Sequence, residues 1–84
     1  MKAIIVDDER LARMEMRRLL AAHADIQIVG EAADVVSAKT MIENLTPDLV
    51  FLDIQMPDGT GFDVLAQLVD APDVIFTTDR KSVV

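Results

Sequence analysis

No cysteine, tryptophan or tyrosine occurs in the 84 residues. Without cysteine, the chain can form neither a disulfide nor a thiolate metal site. Basic residues are scarce: eight Lys and Arg face fifteen Asp and Glu, for a formal net charge of −7. Gripping nucleic acid or an anionic membrane takes a basic footprint, so this segment itself is excluded from both roles. No apolar run approaches the length of a membrane span, and the N-terminus enters a short apolar run with no signal-peptide pattern. Repeats, low-complexity tracts and an internal linker are also absent. What is there is 51% hydrophobic, too apolar for a disordered tail and long enough for one small domain. A soluble, cytoplasmic domain is the expectation.

Two kinds of apolar pattern alternate along the chain. "AIIV" (3–6) is a continuous β-branched run that ends at Asp7. Leu11, Met14, Leu19 and Leu20 then recur near helical spacing, through about Ala22, and "HAD" (23–25) makes a turn. "IQIV" (26–29) alternates in part and ends at Gly30, before a second helical face of Val35, Val36, Ala38, Met41, Ile42 and Leu45. Thr46–Pro47 closes that helix, and "LVFL" (49–52) runs into Asp53. "QMPDGTG" (55–61) is dense in turn residues. Phe62, Leu65 and Leu68 mark a third short helix stopped by Pro72, and "VIF" (74–76) is a fourth strand.

Strands alternating with helices predict right-handed βαβ units around a parallel sheet. Runs apolar on both faces suit interior strands, whereas "IQIV", with Gln27 between two isoleucines, suits an edge. An order of 2-1-3-4 satisfies all four strands and puts the switch point between the first and third. Ligands bind there, beyond the carboxyl ends of the strands.

That position is acidic. The first strand delivers Asp7, Asp8 and Glu9, and the third delivers Asp53. Neighbouring strands lie about 5 Å apart, so these carboxylates converge. Two unit charges about 4 Å apart repel by roughly 4 kcal/mol at an effective dielectric near 20. A divalent cation would remove that cost, and an all-oxygen set with few carboxylates suits Mg²⁺. The blander role of "DDE" is to cap the first helix and complement its dipole. Asp53 speaks against that role alone, because it ends a different buried strand. A carboxylate beside Mg²⁺ can also act as nucleophile toward a phosphoryl group, which gives an aspartyl-phosphate. Positioning and cation stabilisation would supply most of the catalysis, and Thr77–Thr78 would supply a donor hydroxyl.

The segments "IIVDDE", "PDLVFLDIQMPDGTGFDVL" and "VIFTT" resemble the receiver domain of bacterial two-component response regulators, over about the first 78 residues. The resemblance implies a flavodoxin-like three-layer α/β sandwich. It makes Asp53 the phosphorylated residue, with Asp8 and Asp53 holding Mg²⁺ directly and Asp7 acting through water. The backbone carbonyl of Gln55 would complete the ligand set, and Thr78 would hydrogen-bond the phosphoryl group. A sensor histidine kinase is the implied partner. "VDDERLAR" and "LDIQMP" further resemble regulators carrying a LytTR-type DNA-binding domain, so DNA would be reached only through an output domain beyond this chain. Arg13, Arg17 and Arg18 form a basic face on the first helix, read from the residues as solvated surface and from the resemblance as kinase-docking surface.

Departures from the family pattern accompany the match. The fifth strand, its lysine and the last two helices are missing, and Asp79 stands where a small residue is usual. Residues 79–84, "DRKSVV", are read as a non-native tail, the translation of a sequencing adapter. Both differences put phosphorylation competence in question, and a non-phosphorylated interaction module of the same fold is one alternative. Another is a haloacid-dehalogenase-like phosphohydrolase, which would need an acid where Gln55 stands. A flavin-binding module would need a Gly/Ser/Thr-rich first loop in place of "DDER".

Overall fold

The computed structural model describes residues 1–77; Thr78 and residues 79–84, with the hydroxyl role and tail assignment given to them, lie outside the described residues. In chain order the elements are β1 (Lys2–Val6), α1 (Arg10–Leu20), β2 (Gln27–Ala32), α2 (Val35–Leu45), β3 (Leu49–Asp53), β4 (Gln55–Met56), β5 (Gly59–Thr60), α3 (Gly61–Ala66) and β6 (Asp73–Thr77). The main sheet is parallel throughout, in the order β2-β1-β3-β6. With β6 as its fourth strand, this is the order expected from the apolar runs.

The two central strands are apolar on both faces because both faces are covered. Ile4, Val6, Val50 and Leu52 point to one side, where Val35, Ala38 and Ile42 of α2 and Val64 of α3 meet them. Ala3, Ile5, Leu49 and Phe51 point to the other, against Leu20 and Met16 of α1. Three layers result, as expected. Each fully buried aliphatic side chain contributes about 1.5–3 kcal/mol through removal from water, and Ile4, Val6, Val50 and Leu52 all reach 0% exposure.

Several boundaries and faces differ from the sequence reading. β2 does not end at Gly30 but continues through Ala32, with a register shift opposite Ala3/Ile4. The continuation is held by pairing of Ile5 with Glu31 and Val6 with Ala32. On α1, Leu11, Met14 and Leu19 are more than half exposed, and Leu20 alone is buried. The helix touches the sheet through its Met16–Leu20 side, so of the expected apolar pattern Leu20 packs inward while Leu11, Met14 and Leu19 face outward. α3 stops at Ala66, well short of Pro72. Its buried anchor is Val64, while Phe62 is largely exposed and its ring lies 5.0 Å from that of Phe76.

α2 ends as its sequence demands. Thr46 adopts the left-handed conformation (φ 43°) and its N–H returns to the carbonyl of Ile42 before Pro47 forbids another turn. At the other end, the Asp34 carboxylate accepts from the N–H of Ser37; hydrogen bonds from the Ser37 side chain, and then from its N–H, hold the Asp34 pKa below the usual carboxylate range. A small antiparallel hairpin of β4 and β5 follows β3, an element the turn-rich sequence had concealed.

Candidate functional site

β1 and β3 pair in register, Val6 opposite Leu52, so the residues that follow them emerge side by side. Asp7, Asp8 and Asp53 each offer a carboxylate oxygen, and all three lie within 4.8 Å of one another. Asp53 is buried at 5% exposure, Asp7 is half-buried and Asp8 is exposed. The three acids that the sequence nominated from two separate strands therefore share one site.

Capping does not account for them. Glu9 occupies the N-cap of α1 and makes no side-chain capping bond, and no acid lies in the first helical turn. Instead the Asp7 carboxylate accepts from the N–H of Glu9 at 2.9 Å, which folds the short loop onto itself. The N–H of Asp7 donates to the carbonyl of Ala32 at 3.0 Å, which continues the β1–β2 ladder one step past its end.

The Asp7 carboxyl is pushed up from the ordinary 3.8 to about 6. Burial is the main cause, opposed by the hydrogen bond from Glu9 and reinforced by the negative charges of Asp53, Asp8 and Glu9. A folded-state pKa above the unfolded one means that the folded chain keeps a proton the unfolded chain has lost. The resulting stabilisation is full below about pH 3.8 and is lost as pH rises through about 6. In EDTA, the melting temperature should decline across this window in the wild type and stay flatter in Asp7→Asn, whose amide oxygen can still accept from Glu9. Thermal melts at a series of pH values check this; equal slopes in the two proteins would contradict it.

The donor set fits a hard divalent cation. It is all carboxylate and open on the Asp8 side, and its own repulsion is what a cation would relieve. Gln55, whose carbonyl the resemblance nominated, lies in β4 two residues beyond Asp53 and pairs with Thr60. Thr77, the last residue of β6, pairs with Asp53 across β3 and β6.

Two supporting residues escaped the sequence reading. Asp58, at the tip of the β4–β5 hairpin, accepts from the N–H groups of Val35 (2.8 Å) and Val36 (3.3 Å), tying the loop after Asp53 to the start of α2. Glu31 on β2 takes Arg13 at 3.1 Å and Arg17 at 2.7 Å. Arg17, and then Arg13, hold the Glu31 carboxyl below its usual range against the opposing effect of burial. Arg13 also donates to the carbonyl of Asp7 at 2.7 Å. The basic face of α1 is thus not uniformly solvated: Arg13 is largely enclosed, and Arg18 pairs with Glu15 on the surface. Local signals existed only for the start of α3, where Thr60 and Asp63 exchange side-chain-to-backbone bonds in a capping box.

Among the described residues, no helix is long and apolar enough to cross a membrane. Among solved structures, the response regulator domain of Thermotoga maritima CheB superposes with a TM-score of 0.85 at 30% identity, over 93% of this chain and 60% of that one. A LuxR-family two-component response regulator from Aurantimonas gives 0.84 at 29% identity, over 92% of this chain and 57% of the other. In sequence, the transcriptional regulatory protein BtsR of Salmonella typhi is 46% identical over 79 residues, 92% of this chain and 33% of BtsR. The sensory transduction protein LytT of Bacillus cereus is 40% identical over 81 residues, 93% of this chain and 33% of LytT. The chain thus spans about a third of the length of these curated relatives. Residues 3–84 match the family described as the response regulator receiver domain. With its sheet order, its paired acids and this match in agreement, the chain belongs to the response regulator receiver domain family, a signalling module of two-component systems.

Proposed function

We propose that Asp53 is the phosphoacceptor of this receiver, and that Asp7, Asp8, Asp53 and the backbone carbonyl of Gln55 hold Mg²⁺ beside it. The observation that supports this reading best is the convergence of the three carboxylates, from two strands, within 4.8 Å. In the reaction, an Asp53 carboxylate oxygen attacks phosphorus as the bond to the donor breaks, which leaves an acyl phosphate on the side chain. Mg²⁺ supplies countercharge to the phosphoryl oxygens when bound. Asp53 is well suited to be the nucleophile: the end of β3 fixes its backbone, and its side chain lies in a largely buried position at 5% exposure. Asp8, exposed at the rim, keeps the site open to a donor. Thr78, the next residue in sequence after Thr77, provides the hydroxyl for the phosphoryl group in this reading.

The donor in the cell is the phosphohistidine of a sensor histidine kinase, met in the cytoplasm. The longer protein is a transcriptional regulator whose LytTR-type output domain contacts DNA; the similarity to BtsR, a transcriptional regulatory protein, supports the first part of this reading. The test is incubation with acetyl phosphate and Mg²⁺, followed by intact-mass measurement and mapping of the modified residue. A stable single phosphate on Asp53 that requires Mg²⁺ is expected. A chain that stays unmodified, or that turns over phosphate esters without retaining phosphate, would overturn the reading.

A further inference from the structure

Asp7 is pinned from three directions. Its N–H is bonded to Ala32 of β2, its carboxylate to the N–H of Glu9, and its carbonyl to the guanidinium of Arg13. Arg13 reaches back from the first turns of α1, and its Nε donates to the Glu31 carboxylate at 3.1 Å. Glu31 immediately precedes Ala32, the residue that accepts from Asp7. One planar side chain therefore joins the end of β1, the end of β2 and the start of α1. Its geometry suits this task, because a guanidinium presents several donors in a fixed fork, whereas an ammonium is a compact point charge on a flexible stem. Only 18% of the Arg13 side chain is exposed.

We propose that Arg13 is a positioning residue of the acidic site, which it serves by holding the Asp7 carbonyl, and through it the Asp7 carboxylate, without touching the ligand. The inference rests on the reading of Asp7, Asp8 and Asp53 as a cation site. Arg13 has two effects on such a site, and they have opposite signs. As a nearby positive charge, partly offset by Glu31, it disfavours a second cation. As an anchor, it keeps a ligand carboxylate where the cation needs it. Removing the side chain therefore tightens cation binding if charge dominates and weakens it if position does.

Titration of the ¹⁵N-labelled chain with Mg²⁺ alone, followed by amide shifts near Asp8 and Ile54, reads the sign. Arg13→Met, which keeps the stem and loses every donor, is expected to weaken Mg²⁺ about ten-fold, as is common when groups that orient ligands are removed. Arg17→Met removes an equal charge from the same Glu31 but no bond to Asp7, and is expected to leave the affinity unchanged or slightly tighter. Arg13→Lys keeps the charge and loses the fork, so it should also weaken binding; it carries the test if Arg13→Met does not fold. Affinity equal to or tighter than wild type in the folded Arg13 variants overturns the inference. An equal loss in Arg17→Met overturns it too. If the wild type shows no saturable shift while its amide spectrum is that of a folded chain, the cation site itself falls, and this inference with it.

Discussion

Asp53→Asn is expected to take up no phosphate from acetyl phosphate under conditions in which the wild type is labelled. The amide matches the carboxylate in size, so β3 and the packing of Leu52 beneath it should survive. What it lacks is the anionic oxygen that forms the bond to phosphorus. The loss should therefore be complete rather than partial. Asp8→Asn makes the informative comparison. It leaves the nucleophile in place and removes one acid of the cluster, so labelling should slow yet still map to Asp53. Mass mapping separates the outcomes. A phosphate retained on Asp53→Asn, on Asp7 or Asp8 for example, would show that the buried acid is not the acceptor. Circular dichroism of both variants guards against loss of the fold.

Gly61→Ala is expected to cost about 1–3 kcal/mol of stability, the usual penalty of forcing a methyl into a filled space, and to impair the site as well. A Cβ at this position would sit 2.6 Å from the backbone carbonyl oxygen of Asp53 and 3.0 Å from Cγ of Leu52. Neither can yield cheaply, since one is main chain in a central strand and the other is fully buried. Something larger must move. Gly61 opens α3, and its N–H donates to the carbonyl of Ile54 at 2.8 Å, so a displaced α3 pulls on the residue after Asp53. Urea titration should show a lower midpoint, and the acetyl phosphate reaction should be slower than in wild type. A variant with unchanged midpoint and unchanged labelling would mean that the close approach is not needed.

The amino-acid sequence by itself determined the elements and their order. "AIIV" and "LVFL" are apolar at every position because both of their faces are covered, while "IQIV" carries Gln27 to an exposed edge position. Such patterns are local, and they led to the sheet order and to the convergence of Asp7, Asp8 and Asp53. The acids were legible because strand ends are readable, and a parallel sheet puts the ends of adjacent strands together.

Tertiary structure decided what depends on partners distant in the chain. Glu31 reads as one more acid after Gly30; only the pairing of β2 with β1 carries it beneath Arg13 and Arg17. Asp58 reads as a turn residue in "PDG", yet its carboxylate closes the first turn of α2, more than twenty residues earlier. The outward apolar stripe of α1 shows the same limit. Helical spacing says that Leu11, Met14 and Leu19 share a periodic pattern, but the packing of Met16 and Leu20 on the sheet decides which side is buried. Periodicity is a property of the chain. Which face meets which neighbour, and which charge finds which, is settled only when the strands have paired.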